Sequence, residues 1–475
     1  MAFYTLTMMS EARGLPEPER RMLAECISAY NNTRKRNETK LRYYEGKVPV
    51  KNLGIAVPEN VTLDISCGWP AKAVDALANR SRFDGFVFSN GGSSDELDKI
   101  VRDTKLVSKY NRLCINELIS GCAFVTVSRK QDGRPEIQMH SATSAAAIWD
   151  AEKDRVKCGF SIVDGAKDNS DSSWQPSLVN FHTETAIWVL NRVPGTPAWI
   201  ANEYPHSVGR PLIEALVYKP TAQKPFGQSR ITRGVMTIVD NYLRATLRSE
   251  IGAEFFTAPQ RYLLGADPNE LEIPDTWSAI IGNMFVAGGG DNENLQYGQL
   301  PAVSMDPHIQ YIKSLAGRFA VETGLPQSYL GVLTDNPTSA EALSIECEQL
   351  IVEAENLNAS NGEALRNVAL MALAIDQNVP IDKLSDETAD VKAHFLSAAT
   401  LSLASQADAV IKISSADPGF AGSSVFYEML GFSQVDIDRI QSEKRRAVGF
   451  DMLSEVFSKT ATAAQETASG AEINE

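Results

Sequence analysis

The chain has no CxxC pair and no stretch of about 18 consecutive apolar residues. Its six cysteines (Cys26, Cys67, Cys114, Cys122, Cys158 and Cys347) are scattered, which excludes a disulfide framework and reads as buried or free thiols in a reducing cytosol. The missing apolar run excludes a membrane-spanning helix, so no membrane partner is expected. Met1 to Ser10 lack the basic start and apolar core of a secretory signal. Catalytic signatures are absent too. There is no GxxxxGK[ST] phosphate cradle, and Gly288-Gly-Gly290 lacks a following lysine. The five histidines (His140, His182, His206, His308 and His394) lie far apart with no HExxH. Ser, Cys and His form no nucleophile motif. Asp436 and Asp438 beside Arg439 read as a solvated helix surface, and the carboxylates at 341, 346, 348, 353, 355 and 363 spread around their helix. The chain therefore reads as no enzyme, with no cofactor and no metal.

What is present is ordinary globular material. With 475 residues, 43% hydrophobic and 22% charged, the chain suffices for two to four domains with sizeable cores. Residues 11–46 form a helical stretch with five basic residues against one Glu between Arg34 and Arg42, which by itself is a solvated face. A helix follows from Cys67 to Arg80 with Pro70 in its first turn, then an alternating strand over Phe83 to Phe88. One helix is predicted from Asp95 to Ser120. Strands are predicted at 121–127, with a hairpin turn at Asp132-Gly133, and at 137–140, 146–149, 157–163 and 185–190. Asp164 to Ser173 reads as an exposed loop, and 160–210 carries no motif. This α+β domain closes near Lys219, with Pro220 and Pro225 marking a linker.

The centre of the chain is 226–376. From Phe226-Gly-Gln-Ser-Arg-Ile-Thr232, where Gly227 and Ser229 are expected to open a helix, apolar residues recur every fourth position: Ile231, Val235, Val239, Leu243, Leu247, Ile251 and Phe255. Four residues turn a helix through about 400°, so the row winds around the surface and meets different neighbours along its length. Other copies of the chain and the core of an α/β protein both fit that pattern. A second helix starts at Pro307, with Ile309, Ile312 and Phe319 on its apolar face, and stops at Gly324-Leu-Pro326. Between them lies a small module, Thr257 to Asp306, with strands at 261–264, 285–286 and 295–297 and a helix at 269–281. From Arg261 to Gln310 it carries seven acidic residues against one basic. So little chain has little core of its own; an ordinary surface excursion fits it, and so does a module steadied by its own copies. A turn at Asp335-Asn336-Pro337 leads, capped by Ser339, to a long helix ending at Asp376 and expected to bend at Gly362. Beyond it come a strand at 391–396, helices at 398–416, 424–430 and 434–448 (capped by Ser433), and a polar tail, 459–475, that reads as disordered.

Several separate blocks in one order resemble the portal proteins of tailed bacteriophages, in particular those of siphoviruses that infect actinobacteria. They are Trp69-Pro to Ala78-Asn-Arg80, Phe226 to Thr232, Ala258-Pro-Gln-Arg-Tyr-Leu-Leu-Gly265, Thr323-Gly-Leu-Pro-Gln-Ser-Tyr-Leu-Gly331, Thr334 to Ala342 and Gly431 to Ile440. The resemblance implies an α+β multidomain portal fold. Its parts would be an α/β wing over 1–225 that returns at about 377–400, a first stem helix at 226–257, a clip at 258–306, and a second stem helix at 307–325. A tunnel loop at 326–340, a long tunnel helix at 341–376 and a helical crown at 401–458 would complete it. It implies a homododecamer at one capsid vertex of the virion, assembled in the host cytoplasm. Double-stranded DNA would pass through its channel during packaging, retention and ejection. Terminase, the capsid or scaffold protein and a head–tail connector would be its partners. The channel loop would be Leu333, Thr334, Asp335, Asn336, Pro337, Thr338 and Ser339. The connector-binding clip surface would be Asp267, Glu270, Glu272, Asp275, Trp277, Asp291 and Glu293. A net charge of −15 argues against tight general nucleic-acid binding and fits DNA that slides without being gripped. The competing readings are a metal-dependent nuclease, which needs convergent carboxylates, and another head or adaptor protein.

Overall fold

The computed structural model describes residues 6, 8–50, 64–88, 95–167, 174–257, 261–266, 284–288, 296–299, 304–331, 340–399, 403–417, 419–432 and 436–446. The predicted helix at 269–281, the loop at 91–94, the Ser339 and Ser433 caps and the tail at 459–475 lie outside them.

The architecture is α+β. Helix α1 (Glu17–Tyr44) starts behind Pro16 with a second proline, Pro18, in its first turn. There follow α2 (Trp69–Ala78), β1 (Arg82–Phe88), α3 (Asp95–Thr104), α4 (Leu106–Ser120) and β2 (Cys122–Arg129). The strands β3 (Pro135–Ser141), β4 (Ala145–Asp150), β5 (Arg155–Lys167), β6 (Trp174–His182), β7 (Ala186–Arg192), β8 (Trp199–Pro205) and β9 (Ile213–Val217) complete the N-terminal part. Strands β4 to β8 form an antiparallel meander in chain order, and β2 pairs with β3 on one side and β9 on the other. The region 160–210, which matches no motif, therefore contributes strands β5 to β8 to that sheet. Of the loop expected at 164–173, residues 164–167 belong to β5, and 168–173 lie outside the described residues.

Alternation explains the meander. Cys158, Phe160 and Ile162 on β5 are buried at alternate positions, as are Val179 and Phe181, Trp188 and Leu190, and Trp199 and Ala201 on the next three strands. A period of two places them all on one face. Leu23, Cys26 and Tyr30 of α1 cover that face. Tyr30 stands edge-on to Phe160 at 5.6 Å and donates its hydroxyl to Thr143 O at 2.8 Å, so a large ring is buried without stranding its polar tip.

The single helix predicted over 95–120 is two. Lys105 between them has φ 55°, in the left-handed region. On one straight helix at about 100° per residue, Leu97, Ile100 and Thr104 would face opposite to Leu106, Tyr110 and Leu113. All six are buried, and the break at Lys105 makes that possible.

Helix α5 (Arg233–Thr257) leaves this body, and β10 (Arg261–Ala266), β11 (Met284–Gly288) and β12 (Gln296–Gln299) form a small sheet in the order β11-β10-β12. Helix α6 (Asp306–Thr323) returns alongside α5, and α7 (Ala340–Gln377) runs back across the N-terminal part. Strand β13 (Val391–Leu396) then pairs antiparallel with β1, placing Phe395 opposite Phe83. The helices α8 (Leu403–Ala416), α9 (Ser424–Met429) and α10 (436–446) come last. Helix α7 continues without interruption through Gly362, which lies beside the Phe395 ring.

The break gives a backbone test. Lys105→Val puts a β-branched residue at positive φ and is expected to lower stability by about 1–2 kcal/mol, while Lys105→Gly is tolerated. Denaturation midpoints measure this; equal losses would mean that the conformation at 105 is not what matters.

Candidate functional site at the root of the central helices

The central helices meet the N-terminal body at one crossing. After β9 the chain turns at Lys219, comes back through Gly227 and lies along the end of α4. Gly227 has φ 65°, and a Cβ there would stand 2.2 Å from Tyr218 O and 2.9 Å from Gly121 O. Gly121, at φ 107°, would have its own Cβ 3.1 Å from the Gln228 backbone. Glycine is required on both sides because two backbones touch.

The end of α4 explains why no helix begins at Phe226. Four carbonyls at a helix C-terminus lack partners within the helix. Here Glu117 O accepts from Gly121 N at 2.6 Å, and Leu118 O from Arg230 N at 2.9 Å. Ile119 O accepts from the Ser229 hydroxyl at 2.6 Å and Ser120 O from Lys40 Nζ at 3.2 Å. Ser229 and Arg230 serve α4, so they do not open a helix of their own. The expected start at 226 is corrected to Arg233, where Thr232 caps α5 by accepting from Val235 N at 3.2 Å.

Arg230 is the centre of the crossing, with 5% of its surface exposed. Its Nε donates to Ala73 O in α2 at 2.8 Å, and one terminal nitrogen donates to Thr323 O, the last residue of α6, at 2.7 Å. The other donates to the Tyr218 hydroxyl at 2.9 Å and to Glu353 of α7 at 2.5 Å. One guanidinium thereby ties α2, the end of β9, α6 and α7, and its positive charge meets the negative end of the α6 dipole. Glu353 also accepts from the Tyr218 hydroxyl and from Lys219 Nζ, the latter at 2.5 Å. Burial pushes the Glu353 carboxyl up, but Arg230, Lys219 and Tyr218 together hold it below its ordinary value.

From this root the helices extend with their apolar residues in place. Ile231, Val235, Val239, Leu243 and Leu247 are buried, Ile251 is half-buried, and the Phe255 side chain lies outside the described residues. Up to Leu247 the neighbours are this chain's own elements rather than other copies. Trp69 of α2 sits 4.4 Å from the Tyr242 ring and 5.5 Å from the Phe319 ring, and Tyr43 donates to Asp240 at 2.7 Å. On α6, Phe319 is fully buried, Ile312 partly so, and Ile309 is 46% exposed. The other faces are open: Val321 is 82% and Ile345, at the start of α7, 71% exposed. Leu333, Thr334, Asp335, Asn336, Pro337, Thr338 and Ser339 lie outside the described residues, as do Asp267, Glu270, Glu272, Asp275, Trp277, Asp291 and Glu293.

Sequence reasoning placed Arg230 in a motif without its role and counted Glu353 among scattered surface acids. A signal was there: Glu353 adjoins the apolar row Leu350, Ala354 and Leu357, so it falls at the edge of the buried face. Among the described residues no group of three or more His, Cys, Asp or Glu is placed to hold a metal ion, and no helix is long and apolar enough to cross a membrane.

Breaking this pair should be costly. Arg230→Leu leaves Glu353 without its buried partner and is expected to cost about 3–5 kcal/mol, with Arg230→Leu plus Glu353→Leu recovering much of it. Because the Glu353 carboxyl is depressed, its contribution is full above the ordinary value of 4.5 and lost as pH falls through the lowered one. The gap between wild type and the double variant in denaturation should therefore shrink in acid. A gap constant down to pH 3 would contradict the pairing.

The sequence profile of the family described as "Phage portal protein, SPP1 Gp6-like" matches residues 23–449. The chain is 23% identical over 443 residues to the portal protein of Mycobacterium phage D29, covering 90% of each chain. It is 24% identical over 445 residues to the portal protein of Mycobacterium phage L5, covering 90% of this chain and 89% of that one. Among solved structures it is similar to a chain of "Neck of native GTA particle computed with C12 symmetry", with a TM-score of 0.42 and 14% identity over 77% of this chain and 89% of that chain. The profile spans most of the chain and includes the glycine crossing, Arg230 and Glu353. The protein belongs to the SPP1 Gp6-like family of phage portal proteins, structural components of the virion.

Proposed function

We propose that copies of this chain close into a ring, twelve in the family's manner, whose central passage carries double-stranded DNA during packaging, retention and ejection at one capsid vertex. The observation that carries this reading is the apolar surface left on the central helices. Val321, Tyr311 and Ile309 on α6 and Ile345 and Val352 on α7 are exposed in the single chain, whereas Leu315, Phe319, Leu350 and Leu357 on the same helices are buried. Large apolar side chains left in water are stabilised by a partner that covers them, and identical subunits with matching surfaces close into a symmetric assembly.

In this reading α5 and α6 are the stem, and the N-terminal part together with β13 is the wing that meets capsid or scaffold protein. The acidic module between the stem helices is the clip, with Asp267, Glu270, Glu272, Asp275, Trp277, Asp291 and Glu293 toward the connector. The C-terminal helices are the crown. The segment Leu333 to Ser339 joins the end of the α6 region to α7 and points to the axis. Repeated around a ring, each of its polar residues becomes a circle of weak contacts that centres DNA without locking it. Terminase supplies the energy for packaging, so the chain itself needs no nucleotide site and acts as no enzyme. Assembly takes place in the host cytoplasm.

Electron microscopy of the purified protein tests the assembly: class averages should show an annulus with a central hole. A single-copy particle that cleaves DNA in the presence of a divalent metal would favour the nuclease reading instead. For the loop, Asn336→Asp with Thr338→Glu is expected to leave rings intact and reduce packaged DNA several-fold. Unchanged packaging would take the loop out of the mechanism.

A further inference from the structure

A second polar cluster, separate from the Arg230 crossing, lies wholly inside the N-terminal body. Glu117 of α4 and Asn361 of α7 are each 0% exposed. Asn361 Nδ2 donates to Glu117 Oε2 at 2.8 Å and to the Tyr110 hydroxyl at 2.9 Å. The Tyr110 and Ser81 hydroxyls stand 2.7 Å apart, and Ser81 donates to Asn358 Oδ1 at 2.6 Å. Each hydroxyl has one proton, so the direction is fixed: Asn361 to Tyr110, Tyr110 to Ser81, Ser81 to Asn358. At the other end two buried oxygens have no partner, Glu117 Oε1 and Asn361 Oδ1.

Both oxygens belong to the two groups already joined by the Nδ2 to Oε2 bond, and both are acceptors if Glu117 is ionised. The geometry points to a permanent proton on Glu117 Oε1, donated to Asn361 Oδ1, so that acid and amide form a cyclic pair that fastens the long helix to α4. Adding that one proton satisfies both orphaned atoms at once, and a buried acceptor without a donor is otherwise destabilising.

The surroundings agree. Burial pushes the Glu117 carboxyl up to about 8, with the Asn361 hydrogen bond only partly opposing it. The titratable groups that face it are Tyr110 and Cys114 on its own helix and Cys122 on β2, all pushed up by burial and therefore neutral. Lys40 and Arg36 of α1 lie beyond Cys122. Among the described residues no Lys, Arg or His nitrogen forms an ion pair with Glu117. The other carboxyl among the buried residues, Glu214, is paired with Arg210.

The folded state holds its proton from the ordinary value of 4.5 up to about 8, while the unfolded chain releases it across the same range. The contribution of the pair is thus full below 4.5 and is lost as pH rises toward 8. Losing the proton to hydroxide leaves an unneutralised carboxylate against the long helix. Amides of α7 around Asn358 and Asn361 are then expected to open more readily.

Infrared spectroscopy of the intact protein tests this directly. A protonated-carboxyl band should be present at pH 7, disappear with a midpoint near 8, persist in Glu214→Gln and be absent in Glu117→Gln. The glutamine supplies the same donor without titrating, so the unfolding equilibrium of wild type relative to Glu117→Gln should rise by up to about tenfold per pH unit between 4.5 and 8. No band at pH 7, a band lost in Glu214→Gln, or a pH-independent stability difference would each overturn the assignment. Should Glu117→Gln fail to fold, the wild type and Glu214→Gln spectra decide it alone.

Discussion

A desolvated guanidinium with all three of its nitrogens hydrogen-bonded constrains the rest of this structure. Arg230 cannot lose its charge, and at 5% exposure it cannot find water. The carbonyls of Ala73 and Thr323, the Tyr218 hydroxyl and the Glu353 carboxylate must therefore come to it. These four groups sit on α2, the end of α6, the end of β9 and α7. Holding them fixes where both central helices leave the body and where the long helix crosses it. The two glycines at 121 and 227 serve the same end, because only bare backbone passes through the gap that places Arg230.

The consequence is a body with two kinds of surface. Inside the root, Trp69, Tyr242 and Phe319 pack together and the winding apolar row of α5 is covered by its own chain as far as Leu247. Outside it, Val321 and Ile345 are 82% and 71% exposed, uncovered by any of the described residues. On the function proposed above, the apolar side chains left bare outside the root are covered by neighbouring copies. The long helix links the two regimes. One side of it is packed from Leu350 onward, held by Glu353 and then by Asn358 and Asn361, while Ile345 and Val352 on another side are exposed.

How much of this was legible depended on whether the signal was periodic. The helices α1, α2, α5, α6 and α7 and most strands of the N-terminal sheets announce themselves by spacing. Strands β6, β8 and β9 do not: Trp174–His182 and Trp199–Pro205 mix polar residues and prolines that resemble loop, and Ile213–Val217 is buried at every position and so shows no alternation. The break at Lys105 was readable in hindsight from two apolar rows on opposite sides of one supposed helix. The buried polar residues were the hard part. Arg230, Glu353 and Glu117 look like surface residues by type, and only their place beside apolar rows (Leu113 with Leu118 in one case, Leu350 with Leu357 in another) argues otherwise. Their partners come from segments up to 244 residues away along the chain, and no local pattern encodes such a pairing. The loop and clip assignments came from the family blocks and lie outside the described residues.

The central claim is that neighbouring copies cover the faces which the root leaves bare. Maleimide labelling of Val321→Cys and Ile345→Cys measures it most directly, with the assembled particle compared against chain dissociated in mild denaturant that keeps the fold. Both cysteines should label slowly in the particle and quickly in the dissociated chain. Equal, fast labelling of both in the intact particle would contradict the account.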